Sequence, residues 1–377
     1  MILHPRSVQR CTRCVLTADY PGLDFDEHGI CSRCREFEPS AVHGDSKLHE
    51  AVERSRTPGG KYDCLVMLSG GRDSTFTLHY AVKELGLRVL ACAIDNGCVP
   101  EETHENIRNA TSILGVDLLV KTHDNLLRSF PAALSAWFRR PSPGLLPTLC
   151  TGCRRGLARC YREFSRKSGI SLRLSGGGEP EKSIATSFFA TSSDRETRAR
   201  QLVLGLATEV ARNPGYWTRT SLLVQMLLEY SDSWLAPQSL HRLRKTVTRA
   251  RTVTIELFRF VPWNEKLIMD TITSKLKWKR YRLSRADWRS DCKIAVLRNY
   301  FNYQILGFSK HDELVSNLVR QGTLSRAEAL SRVEHDNDQS EDSIREICGE
   351  LGVRYDDRWR TRLPREWRSR REGSLGN

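Results

Sequence analysis

The stretch that most constrains the fold is YDCLVMLSGGRDSTFTLHYAVKELGL, Tyr62–Leu87. Its first seven residues form an apolar run bounded by glycines, the pattern of a strand buried on both faces. Two glycines follow, then apolar residues at helical spacing. A strand that turns through glycines straight into a helix opens a strand–helix–strand unit, and the alternation continues. RVLACAID (Arg88–Asp95) reads as a second strand. PEETHENIRNATSILG reads as a second helix, with Pro and acids in its first turn, and DLLVKT as a third strand. A helix is expected from Cys153 to about Lys167, and ISLRLSGGGE gives another strand that ends in glycines. The prediction is an α/β chain: a parallel sheet with helices on both faces, binding its ligand at the carboxyl ends of the strands.

Around this core the 377 residues divide into four regions. Residues 1–45 form a short, cysteine-bearing, zinc-ribbon-like module, and 46–190 the ATP-binding sheet domain. Residues 191–330 are expected to be a mainly helical, basic, substrate-binding region, and 331–377 a charged C-terminal tail. The acidic run Glu334–Asp342 and the Arg-rich stretch from Arg358 are expected to be exposed and partly mobile. Apolar runs such as Thr220–Leu228 fall short of a membrane span, and the N-terminus lacks the apolar core of a signal peptide. A cytoplasmic location is therefore expected, where twelve cysteines point to metal or catalytic thiols before a disulfide framework. The formal charge of +14 speaks for anionic ligands such as nucleotide, nucleotide-sugar, phosphate or nucleic acid. Much of the excess lies in His241–Ser290, where Trp263, Trp278, Tyr281 and Trp288 are interleaved with Lys and Arg. That mixture suits either a stacking-and-phosphate surface or a solvated basic face with core aromatics.

The glycine turn has its own chemistry. Gly70 and Gly71 let the backbone approach an anion, and the N–H groups at a helix start then hold negative charge. Ser69 and Ser74 add hydroxyl donors and Arg72 a positive charge, while Asp73 fits such a site if Mg2+ accompanies the phosphates. Neither the Gly-x-x-x-x-Gly-Lys-Ser/Thr loop nor Gly-x-Gly-x-x-Gly is present here. Strand–Ser-Gly-Gly-x-Asp-Ser–helix instead resembles the PP-loop of adenylating ATP pyrophosphatases, which cleave ATP between its α- and β-phosphates. The resemblance implies that Asp95, at the end of the second strand, lies by the adenosine. It also implies that Gly177 and Gly178, in the later turn Ser175–Glu179, close the nucleotide site.

The cysteines sort by spacing. Cys11, Cys14, Cys31 and Cys34 form Cys-x2-Cys-x16-Cys-x2-Cys, which brings two thiolate pairs together as the ligands of a closed structural zinc site. Cys64 and Cys92 lie within apolar strands and read as small core residues, and Cys160 and Cys348 as structural or incidental. Cys98 follows the second strand and stands nearer the expected nucleotide. Cys150 and Cys153 are compatible with a redox pair, half a zinc site or two cluster ligands. Arg154, Arg155 and a helix start should lower their thiol pKa values. With Cys292 as a third thiolate they would hold a [4Fe–4S] cluster with one iron open, although any distant cysteine satisfies that spacing. The phosphate loop argues against the redox pair.

Taken in order, the paired Cys-x-x-Cys, YDCLVMLSGGRDST, CAIDNG, LCTGC, GGGEPE, WRSDCKIAVLRNY and LGFSKHDELVSNLVRQGTLSRAEAL resemble the N-acetyl sugar amidotransferase family of PP-loop enzymes. The likeness runs from Cys11 to about Leu330 and is weakest over Thr191–Phe258. The cysteine plan also resembles the cluster-dependent tRNA thiolases, which usually carry a Gly-His-Asn-type motif where this chain has GGGEPE. The resemblance implies an enzyme using ATP, Mg2+, Zn2+ and a [4Fe–4S] cluster, with Asp73, Cys150, Cys153 and Cys292 as the residues nearest the chemistry. It would adenylate the amide oxygen of an N-acetyl sugar or sugar nucleotide and replace that oxygen with nitrogen from a separate glutaminase. The alternative is a sulfurtransferase that thiolates tRNA or a small heterocycle with sulfur from a donor protein.

Overall fold

The structure is a computed structural model that describes residues 9–39, 41–56, 59–122, 124–150, 153–177, 195–224 and 252–372. Its centre is a sheet of strands β1 (Cys64–Met67), β2 (Val89–Asp95), β3 (Asp117–Thr122), β4 (Leu172–Ser175) and β5 (Val253–Glu256), in the order β3-β2-β1-β4-β5. Every neighbouring pair is parallel, with Cys64 opposite Val89, Leu90 opposite Asp117, Leu65 opposite Arg173 and Leu172 opposite Val253. The class expected from the sequence, α/β with a parallel sheet, is therefore the one observed.

Alternation along the strands explains the two covered faces. Cys64, Val66, Val89, Ala91 and Ala93 face one way and pack with Phe76, Leu78, Ile107, Ile268 and Ile272. Leu65, Leu90, Cys92 and Ile94 face the other way, under Cys160 and Phe164 of the helix Cys153–Ser168. With a period of two, a central strand buried on both sides must be apolar throughout. Cys64 and Cys92 are thus core residues, their thiols pushed up to about 12 by burial.

The region after residue 190 is mainly helical among its described residues, with one addition: Val253–Glu256 is a strand that extends the sheet past β4. Only Ile255 of its four residues is deeply buried, so the short Val-Thr-Ile-Glu alternation gives little signal in basic surroundings. The sheet accordingly crosses the boundary drawn at residue 190. The C-terminal stretch, largely exposed among its described residues, is nevertheless anchored to the core. Trp359 is 0% exposed and lies 5.7 Å from Trp137 and 5.3 Å from Phe301 between ring centroids, while Leu363 is equally buried. The acidic run splits between the end of helix Arg326–Asn337 and the start of helix Glu341–Glu350, which Ser340 caps. Burial of Trp359 and Leu363 outweighs the charge of their neighbours.

Candidate nucleotide and metal sites

The chain leaves the sheet to one side through β2 and β3 and returns on the other through β4 and β5, so the order reverses between β1 and β4. A crevice opens at the carboxyl ends of the strands at such a switch point. The loop after β1 is Ser69–Arg72, and the loop after β4 carries Gly176 and Gly177. The two loops touch. A Cβ on Gly176 would stand 2.7 Å from the Asp73 carbonyl group and 3.0 Å from the Ser74 nitrogen. Gly70 adopts φ 79°, and a Cβ there would meet the Thr103 carbonyl oxygen at 2.7 Å.

Side chains hold this turn from behind. The indole N–H of Trp278 and the amide N–H of Asn106 donate to the Gly70 carbonyl at 3.0 and 3.3 Å. Asn106 also accepts from Lys279 N–H at 2.8 Å and donates to its carbonyl at 2.8 Å. Ser69 and Ser74 hydroxyls lie 3.0 Å apart, and Ser74 Oγ accepts from the Ser69 N–H and donates to the Gly71 carbonyl. Carbonyls turned inward and tied down leave N–H groups of the turn for an anion, at the start of the helix Arg72–Lys83.

The charged residues of the loop behave differently. Arg72 is buried, and its guanidinium donates to Asp73 Oδ1 at 3.1 Å, pairs with Glu265 and lies 4.9 Å from the Trp263 ring centre. Asp73 also accepts the Trp263 indole N–H at 3.2 Å. Arg332 grips the same Glu265 carboxylate at 2.7 Å. Burial works against that carboxylate, but Arg332 and Arg72 together hold it below its usual range. The Arg72 charge, expected at the phosphates, is thus engaged in a buried network, and backbone N–H is what remains for an anion. Asp95 caps its own turn, accepting the Gly97 N–H at 2.8 Å. Gly178 and Glu179 lie outside the described residues.

The sequence reading missed Asp291. A Cβ on Gly71 would meet its Oδ2 at 2.8 Å, so this carboxylate stands over the first turn of the loop helix, where the missing side chain admits it. It comes from the segment that carries Cys292, 220 positions along the chain (291 minus 71). No local pattern marks such a contact; only the fold creates it.

Cysteines gather at two places. Cys11, Cys14, Cys31 and Cys34 are fully buried, with all four sulfurs within 4.8 Å of one another. Cys11 and Cys34 sulfurs are 3.9 Å apart, and Cys14 and Cys31 sulfurs 3.8 Å. The N–H groups of Arg13, Cys14 and Cys31 point at the Cys11 sulfur at 3.3–3.4 Å, and Arg320 donates to Cys14 at 3.5 Å. Hydrogen bonds with Cys31 and Cys34 hold the Cys14 thiol well below its usual range. This set could hold a metal ion. Bonds of about 2.3 Å to one tetrahedral centre require sulfurs about 3.8 Å apart.

The second gathering is Cys150, Cys153 and Cys292. Cys150 closes the turn Pro143–Cys150, Cys153 opens the helix Cys153–Ser168, and Cys292 caps the helix Lys293–Leu306. All three are partly buried against one core, which also holds Cys98. Arg298 donates to Cys150 Sγ at 3.2 Å and Asn96 to Cys153 Sγ at 3.7 Å. Among the described residues, the group of ligand atoms close enough for one ion is the N-terminal one, and these cysteines are not part of it. Burial, then the charges of Cys292 and Cys150, push the Cys153 thiol up to about 12; burial takes Cys292 to about 11. The depressed thiol expected at Cys153 is thus reversed, because its helix start is buried among other thiols. A bound cation would deprotonate such thiols outright.

Of the interleaved aromatics, Trp278 and Tyr281 are buried, and Trp263 covers Arg72. Basic neighbours Lys279 and Arg282 pair with Glu105 and Glu346. These side chains brace the site rather than form a stacking surface.

No family model matches the chain. A protein of Methanocaldococcus jannaschii described as uncharacterized is 28% identical over 119 residues, 30% of this chain. That stretch is 43% of the relative, so the chain spans less than half the length of the curated protein it matches. Among the described residues, no helix is long and apolar enough to cross a membrane.

Proposed function

We propose that the chain is an ATP-dependent amidotransferase of the PP-loop type, which adenylates the amide oxygen of an N-acetylated sugar or sugar nucleotide and replaces it with nitrogen. The observation that carries this reading is the Ser69–Ser74 turn at the switch point of a parallel sheet, with its carbonyl tied back by Trp278 and Asn106. Backbone N–H groups of the turn and the two serine hydroxyls hold the ATP phosphates, and Gly176–Gly177 close against them. The amide oxygen attacks the α-phosphorus and pyrophosphate leaves. Ammonia then attacks the activated carbon, and AMP departs with the original oxygen, leaving an amidine. Adenylation is needed because amide resonance makes the carbon a poor electrophile and its oxygen a poor leaving group.

The four N-terminal cysteines fit zinc: four buried thiols at tetrahedral spacing, with no open position, serve the fold. We assign Cys150, Cys153 and Cys292 to a [4Fe–4S] cluster from the chemistry of three thiols packed against one core, two of them met by Arg298 and Asn96. When bound, such a cluster supplies a Lewis-acidic or redox-active iron near the loop. Magnesium would offset the phosphate charge, and Asp291 is the carboxylate that stands over the loop while Asp73 is held by Arg72.

The test is AMP and pyrophosphate formation from ATP with UDP- or CMP-linked N-acetyl sugars, with and without ammonia. Formation that requires both sugar and ammonia, with a product one mass unit lighter than the acceptor, is the expected result. No pyrophosphate with any acceptor would overturn it. The second cysteine gathering favours one rival, sulfur insertion, whose product gains sulfur instead and whose acceptors include tRNA.

A further inference from the structure

The sheet ends on one side at β3. Along its inner side β3 pairs with β2 from Asp117 to Thr122, and among the described residues no strand pairs with its outer side. Such an edge presents a row of unpaired N–H and C=O groups, which proteins ordinarily blunt with charge, proline or a bulge. β3 carries charge only at Asp117 and Lys121, and its middle is Leu118–Val120. Leu119 is 39% exposed and Val120 53%, and Ile113, in the last turn of the helix Glu101–Leu114 that leads into β3, is 45% exposed. An aliphatic edge left in this state is a template for another strand.

The pleat sorts its side chains. Leu118 packs with the core that holds Val66 and Ala91, so Leu118 and Val120 share that face. Lys121 reaches Glu163 on the helix Cys153–Ser168, which covers the other face, so Asp117, Leu119 and Lys121 share that one. Two copies of one edge strand related by a two-fold axis run antiparallel. Hydrogen-bonded positions then face hydrogen-bonded positions, so the axis passes through a residue. An axis through Leu119 sets Leu119 against itself, Leu118 against Val120 of the second copy, and Asp117 against Lys121 of the second copy at both ends. Aliphatic meets aliphatic and acid meets base at every position from Asp117 to Lys121. An axis through Leu118 would set Leu119 against Asp117, and one through Val120 would set it against Lys121. The charges therefore select one register. Both are within reach of a partner: the Asp117 side chain is exposed and meets Lys61 and Tyr62 through Oδ2, and Lys121 is partly exposed beside Glu163.

We infer that a second copy of this chain covers β3, the two edges pairing antiparallel about Leu119 with Asp117 against Lys121. The five strands of each copy then join into one sheet of ten. The inference does not depend on the reading of the site as an amidotransferase. Antiparallel pairing points the carboxyl ends of the two halves in opposite directions, so each loop after β1 keeps a crevice of its own.

The experiment is sedimentation of the full-length protein between about 1 and 100 µM, a range that brackets a micromolar dimer. Wild type should sediment as a dimer at the upper end. Leu119→Lys should stay monomeric, because it sets two like charges on the axis. Asp117→Lys and Lys121→Asp should each weaken the dimer about tenfold, since one substitution alters both symmetric pairs. The double variant exchanges the charges and should restore the wild-type affinity to within about threefold. Circular dichroism and thermal unfolding report whether each variant is folded. Hydrogen exchange at the β3 amides, slower in the dimer, reads the same contact in wild type without any substitution. A wild type that is monomeric throughout leaves the edge to a different protein or to none, and overturns the inference. So does a dimer that Leu119→Lys does not split. A double variant as weak as the single ones overturns the register.

Discussion

The two cysteine gatherings differ in ways that spacing in the sequence hides. Both contain a Cys-x-x-Cys, but in the N-terminal set the sulfurs are 3.8–3.9 Å apart, sealed from solvent, and met by three backbone N–H groups. The second set forms no such close group, Cys150, Cys153 and Cys292 are partly exposed, and Asp291, next to Cys292, stands over the loop after β1. The first is closed, and the second is open to solvent beside the loop after β1. A thiol pair alone says nothing of this; what surrounds it does.

The sharpest way to break the comparison is to remove one ligand from each. Cys31→Ser should lose the metal proposed for the four thiols and lower the melting temperature by about 10 °C or more, since metal binding and folding share one free energy. Cys150→Ala should leave the zinc content unchanged and the melting temperature within about 3 °C. Elemental analysis with thermal unfolding checks both, and equal destabilisation would show that the second site is equally structural.

A smaller effect is expected at the carboxylate that joins the second site to the loop. Asp291→Asn should weaken Mg·ATP binding about tenfold while leaving metal-free ATP binding unchanged or tighter, because it removes a negative charge beside an anion site. Calorimetry with and without magnesium separates the two. Equal loss in both would make Asp291 a packing residue.

The smallest effect concerns His311, whose helix Lys310–Arg320 also carries Arg320 to the N-terminal cysteines. Its Nε2 meets Asn299 at 3.0 Å, Trp288 stands edge-on at 5.6 Å, and Asp336 is 4.0 Å from Nδ1. Burial holds its imidazolium below the usual range; Asp336 and Asp312 oppose this, and Arg332 adds to it. A group whose folded pKa is depressed stabilises the fold above its unfolded pKa of about 6.5, and that stability is lost as pH falls toward the folded value. His311→Gln should therefore flatten the loss of melting temperature between pH 7.5 and pH 5.5, by roughly 2–4 °C. An unchanged slope would remove His311 as its source.

Much of the sheet could be read directly. β3 was bounded correctly at Asp117–Thr122, and β1, β2 and β4 announce themselves as apolar runs next to glycines. β5 could not, because four alternating residues at the sheet's edge bury only one side chain deeply. The closed cysteine set was legible because metal geometry restricts spacing. Arg72 was not, since its charge suggested a phosphate contact, whereas Glu265 and Trp263, some 190 residues away, claim it. Asp291 acquires meaning only from neighbours that folding supplies.

The docking of the N-terminal cysteines has a consequence for the timetable of biosynthesis. Arg10 pairs with Asp312 across 302 positions, and Arg326 donates to the carbonyls of Cys11 and Cys14. At 5–20 residues per second, about 15–60 s separate the emergence of these partners from the ribosome. For that interval the nascent cysteines lack the surface that buries them and depend on metal alone, or on a chaperone, to avoid oxidation. With a metal bound there as proposed, its supply during translation, rather than after it, should govern the yield of intact protein.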